Sequence, residues 1–337
     1  IAVFNILSNG VFNQNFNISS TAGSTYTIGN VKNGTFHYNG TASLAGNGSL
    51  INGKDSAVLL DTGSTLTSTG DNTIGAVLEG QYNSVLPGGF TTGIDAENRG
   101  IMTLGNNSAG LYGSNGTRLK NTGSISLGDS SMGLRTDGSG SYALNDGSIT
   151  LGSLSVGIYG QNSTNLENLS NGIITGNGRE TVGIYGEGSA PLSVVNDGRI
   201  ELNGDKSIGI YLKTDGGTSV TNNGTVIIGN SSDNNNPGVG IYSGNSADTI
   251  VNNGTVSAGN SSVGVYINGG ILNQNNTVNT GNNGTGIYAA GGTVNLNAGS
   301  LLNVSNDQSV GVYALNGANI LNDGITALGN NSFGYVL

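Results

Sequence analysis

The chain has no cysteine, no tryptophan, one histidine and three prolines in 337 residues, and only 9% of its residues are charged. Without cysteine there is no disulfide to form, so nothing of that kind would block passage of an exported chain in an unfolded state. The single histidine, His37, cannot supply a repeated or corroborated His-based triad. Ten basic residues against 20 acidic ones give a net charge of −10. That balance excludes the basic stripe that nucleic acid requires and argues against charge-driven binding to anionic membranes. No apolar run of transmembrane length, signal peptide or lipidation motif is present. No window sustains an i, i+3, i+4, i+7 apolar stripe, and 61 glycines would penalise helices heavily.

What the chain has is a phrase that returns about every 25 residues. Its first half is Asn-Asp/Asn-Gly before an apolar pair, as at Asn145-Asp146-Gly147, Asn196-Asp197-Gly198, Asn222-Asn223-Gly224 and Asn252-Asn253-Gly254. Its second half is Ser-Val-Gly-Ile-Tyr, as in Ser155 to Tyr159, Thr181 to Tyr185, Ser207 to Tyr211 and Ser262 to Tyr266. From Gly100 to Gly324 the first-half glycines are spaced by 23, 24, 25, 26, 26, 30, 22, 23 and 25, counting Asn276 in the glycine slot. The widest step contains an insertion, Ser231-Ser232-Asp233-Asn234-Asn235-Asn236-Pro237. Before about residue 95 only worn copies remain, such as Asn33-Gly34 and Asn47-Gly48.

Within each copy apolar residues alternate: Ile200 and Leu202 with Arg199 and Glu201, and Ile208, Ile210 and Leu212 with Gly209 and Tyr211. Period-two alternation with β-branched side chains predicts short half-buried strands. Three such strands joined by Gly/Asn turns make one coil of a parallel β-helix. The expected fold is all-β, a single-stranded β-solenoid of roughly 13 coils of about 25 residues. It forms one domain, irregular over 1–94 and regular over 95–337, the two parts continuous. Each coil contacts only its neighbours, so the expected form is an elongated stack and a monomer. Both ends read as cut from a longer chain, which would supply the targeting signal and the caps.

Asn stands two residues before the first-half glycine at Asn98, Asn121, Asn145, Asn196, Asn222, Asn252, Asn297 and Asn322, with Ser170 and Gln274 in the other two copies. Parity with Val220 and Ile250 points these amides inward at a corner, where each would bond turn backbone and the Asn one coil away. The following glycine is read as permitting positive φ, which Asn276 also tolerates.

The Ser-Val-Gly-Ile-Tyr and Asn-Asn-Gly-Thr-Val phrases, joined by Gly-Asn-Ser-Ser stretches, resemble passenger domains of type V autotransporters, most of all the large surface adhesins of fusobacteria. The resemblance covers 95–337 strongly and 1–94 weakly. It implies a right-handed parallel β-helix, exported and threaded through a C-terminal β-barrel that is not in this sequence. It further implies display on the outer face of the bacterial outer membrane, with adhesion to a host-cell surface glycan or receptor, or to another bacterium.

Several features compete as the binding site. Tyr follows the second-half glycine by two at Tyr112, Tyr159, Tyr185, Tyr211, Tyr242, Tyr266, Tyr288 and Tyr313, a stripe interrupted by Arg135. It serves either as an aromatic face for sugars or a partner, with Tyr211 and Tyr242 nearest the insertion, or as a stacking ladder of the scaffold. The insertion Ser231–Pro237 breaks the repeat, and solenoids place function at such breaks. Gln161 to Ser170, with Glu167, and Gln81 to Asp95, with Pro87-Gly88-Gly89, are further departures. The charged cluster of Arg179, Glu180, Asp197, Arg199, Glu201, Asp205 and Lys206 reads as surface ion pairs. Catalysis is not expected. Asp146, Asp197 and Asp323 are turn residues coils apart, and calcium-binding Gly-Gly-x-Gly-x-Asp repeats are missing, so neither metal nor cofactor is anticipated. Adhesion is the expected function, with a passive stalk as its rival and an enzyme or toxin passenger third.

Overall fold

A computed structural model describes residues 4–7, 10–15, 17–21, 25–189 and 191–337, and every regular element among them is a β-strand. Three strands make a coil, as in Ile208–Thr214, Thr218–Asn222 and Thr225–Ile228. Each pairs in parallel with its counterpart one coil on: Tyr211 faces Tyr242, Asn222 faces Asn252, and Val226 faces Val256. The chain forms two compact units, residues 1–165 and 166–337. Each unit is itself a parallel β-helix. Its first sheet holds seven strands, from Phe4–Leu7 to Val156–Gln161 in one unit and from Val182–Gly188 to Phe333–Val336 in the other. The fold is an all-β, right-handed parallel β-solenoid of about 14 turns with ~24 residues each, close to the expected 13 of 25. The same pairing holds where the phrase is worn, as between Thr35–Tyr38 and Ala57–Leu60.

The interior is a set of aliphatic columns. Ile210, Ile241, Val265, Ile287 and Val312 lie in register, all at 0% exposure. Full burial of each such side chain contributes roughly 1.5–3 kcal/mol. Alternation fails at one point in this strand. Ile208, expected inside, is half-exposed, while Gly209 and Ile210 both face inward. A Cβ on Gly209 would run into Val226 Cγ1 and the Gly240 carbonyl. Glycine therefore lets the strand kink, and the kink puts the preceding residue on the outer face, the same side as Tyr211.

The glycine after the corner Asn also acts differently from expectation, except at Gly299, where φ is 89°. Neither Gly198, Gly224 and Gly254 nor Asn276 has positive φ. A Cβ on Gly224 would overlap the Gly198 carbonyl oxygen, and one on Gly254 that of Gly224. Close approach of successive coils, not backbone handedness, demands glycine there. Asn276 instead turns its amide outward to donate to the Asn253 carbonyl at 2.8 Å. Positive φ sits at another corner, before the second-half phrase: Lys206 at 58°, Ser261 at 56°, Asn283 at 55° and Gln308 at 56°.

The inward amides form a ladder. In residues 1–165, Asn98 donates to Asn121 at 2.8 Å and Asn121 to Asn145 at 2.9 Å. In residues 166–337, Asn168 donates to Asn196 at 2.8 Å, Asn196 to Asn222 at 2.7 Å, Asn222 to Asn252 at 2.7 Å and Asn252 to Gln274 at 3.0 Å. Every one of these side chains is fully buried. Three expectations are corrected. Asn168, not Ser170, holds the inner position, because the turn to Gly172 carries two extra residues. Asn297 is half-exposed: Leu296 is in register with Gln274 and Leu301 with Thr277, so a two-residue-longer turn displaces the asparagine. Asn297 joins instead an outer ladder, donating to Asn275, which donates to Asn253, then Asn223, then Asp197, at 2.6 to 2.8 Å. Asn322 is in register with Leu296 but exposed, bonding the Tyr335 hydroxyl at 2.6 Å.

Asn222→Ala removes both the donor to Asn252 and the acceptor for Asn196 inside a dry corner. Chemical denaturation should show a loss of about 1–3 kcal/mol; unaltered stability would place this amide in contact with water.

Candidate ligand-binding groove

The second-half tyrosines stack outside the coil. From Tyr185 through Tyr211, Tyr242, Tyr266 and Tyr288 to Tyr313, successive ring centroids are 4.9, 4.9, 4.8, 5.0 and 5.3 Å apart. Interplanar angles fall from 59° for the first pair to 12°, 7° and 16° for the last three. The later rings therefore cover one another's faces and leave edges and hydroxyls outward. Arg135 does not interrupt the pattern in residues 1–165 as expected. Its guanidinium lies 4.8 Å from the Tyr112 centroid and 5.7 Å from that of Tyr159, so a cation takes a ring's place in the stack.

The insertion rises beside this stripe. Ser231, the first of its seven residues, is buried and belongs to the corner. Its hydroxyl meets Ser262 Oγ at 3.0 Å and accepts from the Gly238 N–H at 2.6 Å, filling the place of the hydroxyl that Gly238 lacks. Ser232 donates through its N–H to Asp205 at 2.8 Å and through its hydroxyl at 2.5 Å. These bonds from Ser232 hold the Asp205 carboxyl below the usual range. Asp233 accepts from the Asn235 N–H at 2.9 Å and lies 3.5 Å from Lys206 Nζ, and its carboxyl too is lowered, first by the Asn235 N–H. Asp205 and Lys206 of the charged cluster thus tether the loop, whereas Arg199–Glu201 at 2.7 Å and Arg179–Glu180 at 3.1 Å are exposed local pairs.

Between loop and stripe runs a groove of about 510 Å³, within the span of small-molecule sites, roughly 300–1,000 Å³. Asn234, Asn235 and Pro237 form one wall, Tyr266, Tyr288 and Tyr313 the other, and Val263, Thr285 and Val310 the floor. The floor residues reach the outer face through the same glycine kink that exposes Ile208. Burial raises the pKa of Tyr266, reinforced by Tyr288, and that of Tyr242, reinforced by its two ring neighbours. Both stay hydroxyl donors at neutral pH.

The structure thus joins two features that the sequence offered as alternatives, but with different tyrosines. Tyr211 and Tyr242 lie in the stripe and do not line the groove; Tyr266, Tyr288 and Tyr313 do. The repeat made all of them visible, yet nothing local to the chain tells which way the loop leans. Asn236 is exposed at the loop's rim.

The other long departure is closed by its own contacts. Asp95 is fully buried, accepting from Arg118 at 2.7 and 2.8 Å and from the Tyr82 N–H at 2.8 Å, while Tyr142 donates to the Gly93 carbonyl at 2.8 Å. Nearby, His37 Nε2 lies 2.8 Å from Asp61, and Arg99 meets Glu97 at 2.8 Å. Burial opposes ionisation of Asp61, but bonds from Thr62 and His37 and the Arg99 charge bring its carboxyl below the ordinary value. Glu167 is raised by burial and then by Asp197. Among the described residues no group of three or more His, Asp or Glu side chains is placed to hold a metal ion.

Residues 93–270 match the family model described as the BigA third pectate lyase-like domain. No curated protein and no solved structure matches the chain.

Because Tyr242 and Tyr266 bind their protons more tightly in the folded than in the unfolded state, stability should be complete below the ordinary tyrosine value of about 10 and fall as pH rises through their raised values. Phenolate absorbance read alongside circular dichroism checks this; ionisation of every tyrosine at the ordinary value with no loss of fold would contradict a half-buried stack.

Proposed function

The chain belongs to the family of the BigA third pectate lyase-like domain, and from that premise we propose that it is an adhesive segment, binding a surface ligand of a host cell or of another bacterium. At the coarser level it is a β-helical domain of a bacterial surface protein. Display as an autotransporter passenger, held at the outer membrane by a C-terminal β-barrel, belongs to the same proposal. The reading assigns binding without chemistry and without a cofactor.

One observation carries it: the inserted loop Ser231–Pro237 is fixed by Asp205 and Lys206 so that it walls a groove against the tyrosine stack. A stripe repeated in every coil presents the same surface at each step and specifies no position along the stack. A loop that occurs once does. Its tethers and Pro237 reduce the freedom lost on binding. The stacked rings favour a second reading, a passive stalk, since rings that cover one another stabilise the coils without any ligand.

Deletion of Ser232–Asn236 separates the two. The β-rich circular dichroism spectrum should persist, because Ser231 and the flanking strands keep their own partners, while adhesion of the protein to host cells or partner bacteria drops. Undiminished adhesion would return the loop to tolerated drift and favour the stalk.

A further inference from the structure

We propose that the groove takes an uncharged, extended oligosaccharide lying along the stack, its hydroxyls bonded by the phenols of Tyr266, Tyr288 and Tyr313 and by the Asn234 and Asn235 amides. This deepens the adhesive reading and rests on it.

Charge narrows the ligand first. No Asp, Glu, Lys, Arg or His side chain lines the groove. Asp233, the nearest acid of the loop, is already engaged by Lys206. An anionic sugar or acidic peptide would leave its charge without a counter-ion in a partly dry cleft, at a cost, and the chain's net charge of −10 adds repulsion.

Backbone pairing then separates sugar from peptide. The floor strands Val263–Ile267, Thr285–Ala290 and Val310–Leu315 are each hydrogen-bonded to a parallel strand on both sides. There is no free edge for a peptide strand to extend. A peptide lying on this sheet face would bury main-chain N–H and C=O groups with few partners. A polyol carries no such obligatory groups and presents an apolar C–H face beside its hydroxyls. Val263, Val310 and Pro237 suit the first, and Thr285, the phenols and the two amides suit the second.

Ring geometry sets the manner of contact. Both faces of Tyr266 and Tyr288 are covered by neighbouring rings, and one face of Tyr313 is, so little ring face is left for a sugar to stack upon. Recognition runs through ring edges and hydroxyls, repeated at 5.0 and 5.3 Å. A linear chain that repeats along its length meets a phenol on each of these coils, so affinity should climb with chain length and level off once the groove is filled.

The test uses the triple variant Tyr266→Phe/Tyr288→Phe/Tyr313→Phe, which keeps the stack and removes the hydroxyls, with Thr285→Val as a second, smaller change. The probes are neutral hexose and N-acetylhexosamine oligosaccharides of increasing length, with sialylated and sulfated counterparts. Binding of a neutral series should weaken roughly ten-fold or more in the triple variant, with melting temperature and circular dichroism unchanged. Binding confined to the anionic sugars, or neutral binding indifferent to both variants, would overturn the proposal. Enzymatic deglycosylation of the target cells completes it. Adhesion that survives deglycosylation yet falls on loop deletion would mean a protein partner, which sinks the carbohydrate inference and leaves adhesion standing. Adhesion insensitive to deglycosylation, loop deletion and the triple variant alike would sink both.

Discussion

A side-chain amide in a dry interior must find partners inside the protein, and in this fold they lie one coil away and in the amide's own turn. The Asn168, Asn196, Asn222, Asn252 and Gln274 column satisfies that demand only if each coil sits directly over the last. A slip of one residue would turn the amides outward and the aliphatic columns with them. The glycines beside them follow from the same constraint, since coils brought this close leave no room for a Cβ between Gly224 and the Gly198 carbonyl. Register fixed at that corner is register fixed everywhere in the coil, and the outer tyrosines fall into line as a consequence.

Such order produces a surface without landmarks. Function then depends on where the pattern is broken and on what fills the break. The departure over residues 81–95 is occupied by its own network, with Asp95 satisfied by Arg118 and the Tyr82 N–H. The Ser231–Pro237 departure is different. Its base is pinned by Ser231 and Asp205, yet the rest of the loop leans away and leaves space against the stripe. Kinks at the second-half glycines supply the floor, because each turns a Val or Thr to the outer face.

Much of this was legible in the sequence, for a physical reason: a repeating coil writes the same requirements again and again. Strand number per coil, the burial of Ile210 and the inward turn of Asn222 all followed from alternation and spacing. What failed was whatever depends on counting through a turn of altered length. Asn168 replaced Ser170 because two residues were added before Gly172, and Asn297 left the ladder because two were added between Leu296 and Leu301. The role of Gly224 was misread because a close approach between coils and a positive φ select the same residue. Ser231 was grouped with the loop, although its hydroxyl substitutes for one missing at Gly238. The choice of Tyr266, Tyr288 and Tyr313 over Tyr211 and Tyr242 depended on tethers from Asp205 and Lys206, contacts that cross from one coil to the next and leave no local pattern.

The central claim is that loop and stripe make one site, and a double-mutant cycle on adhesion tests it most directly. Four proteins are compared for binding to the same cells: the parent, the Ser232–Asn236 deletion, the Tyr266→Phe/Tyr288→Phe/Tyr313→Phe variant, and the two changes combined. If the groove is one site, the phenylalanine changes should cost little further adhesion once the loop is gone, a non-additivity of about 0.5–3 kcal/mol when expressed as a coupling. Losses that simply multiply would show that loop and stripe act independently, and the groove between them would not be the site.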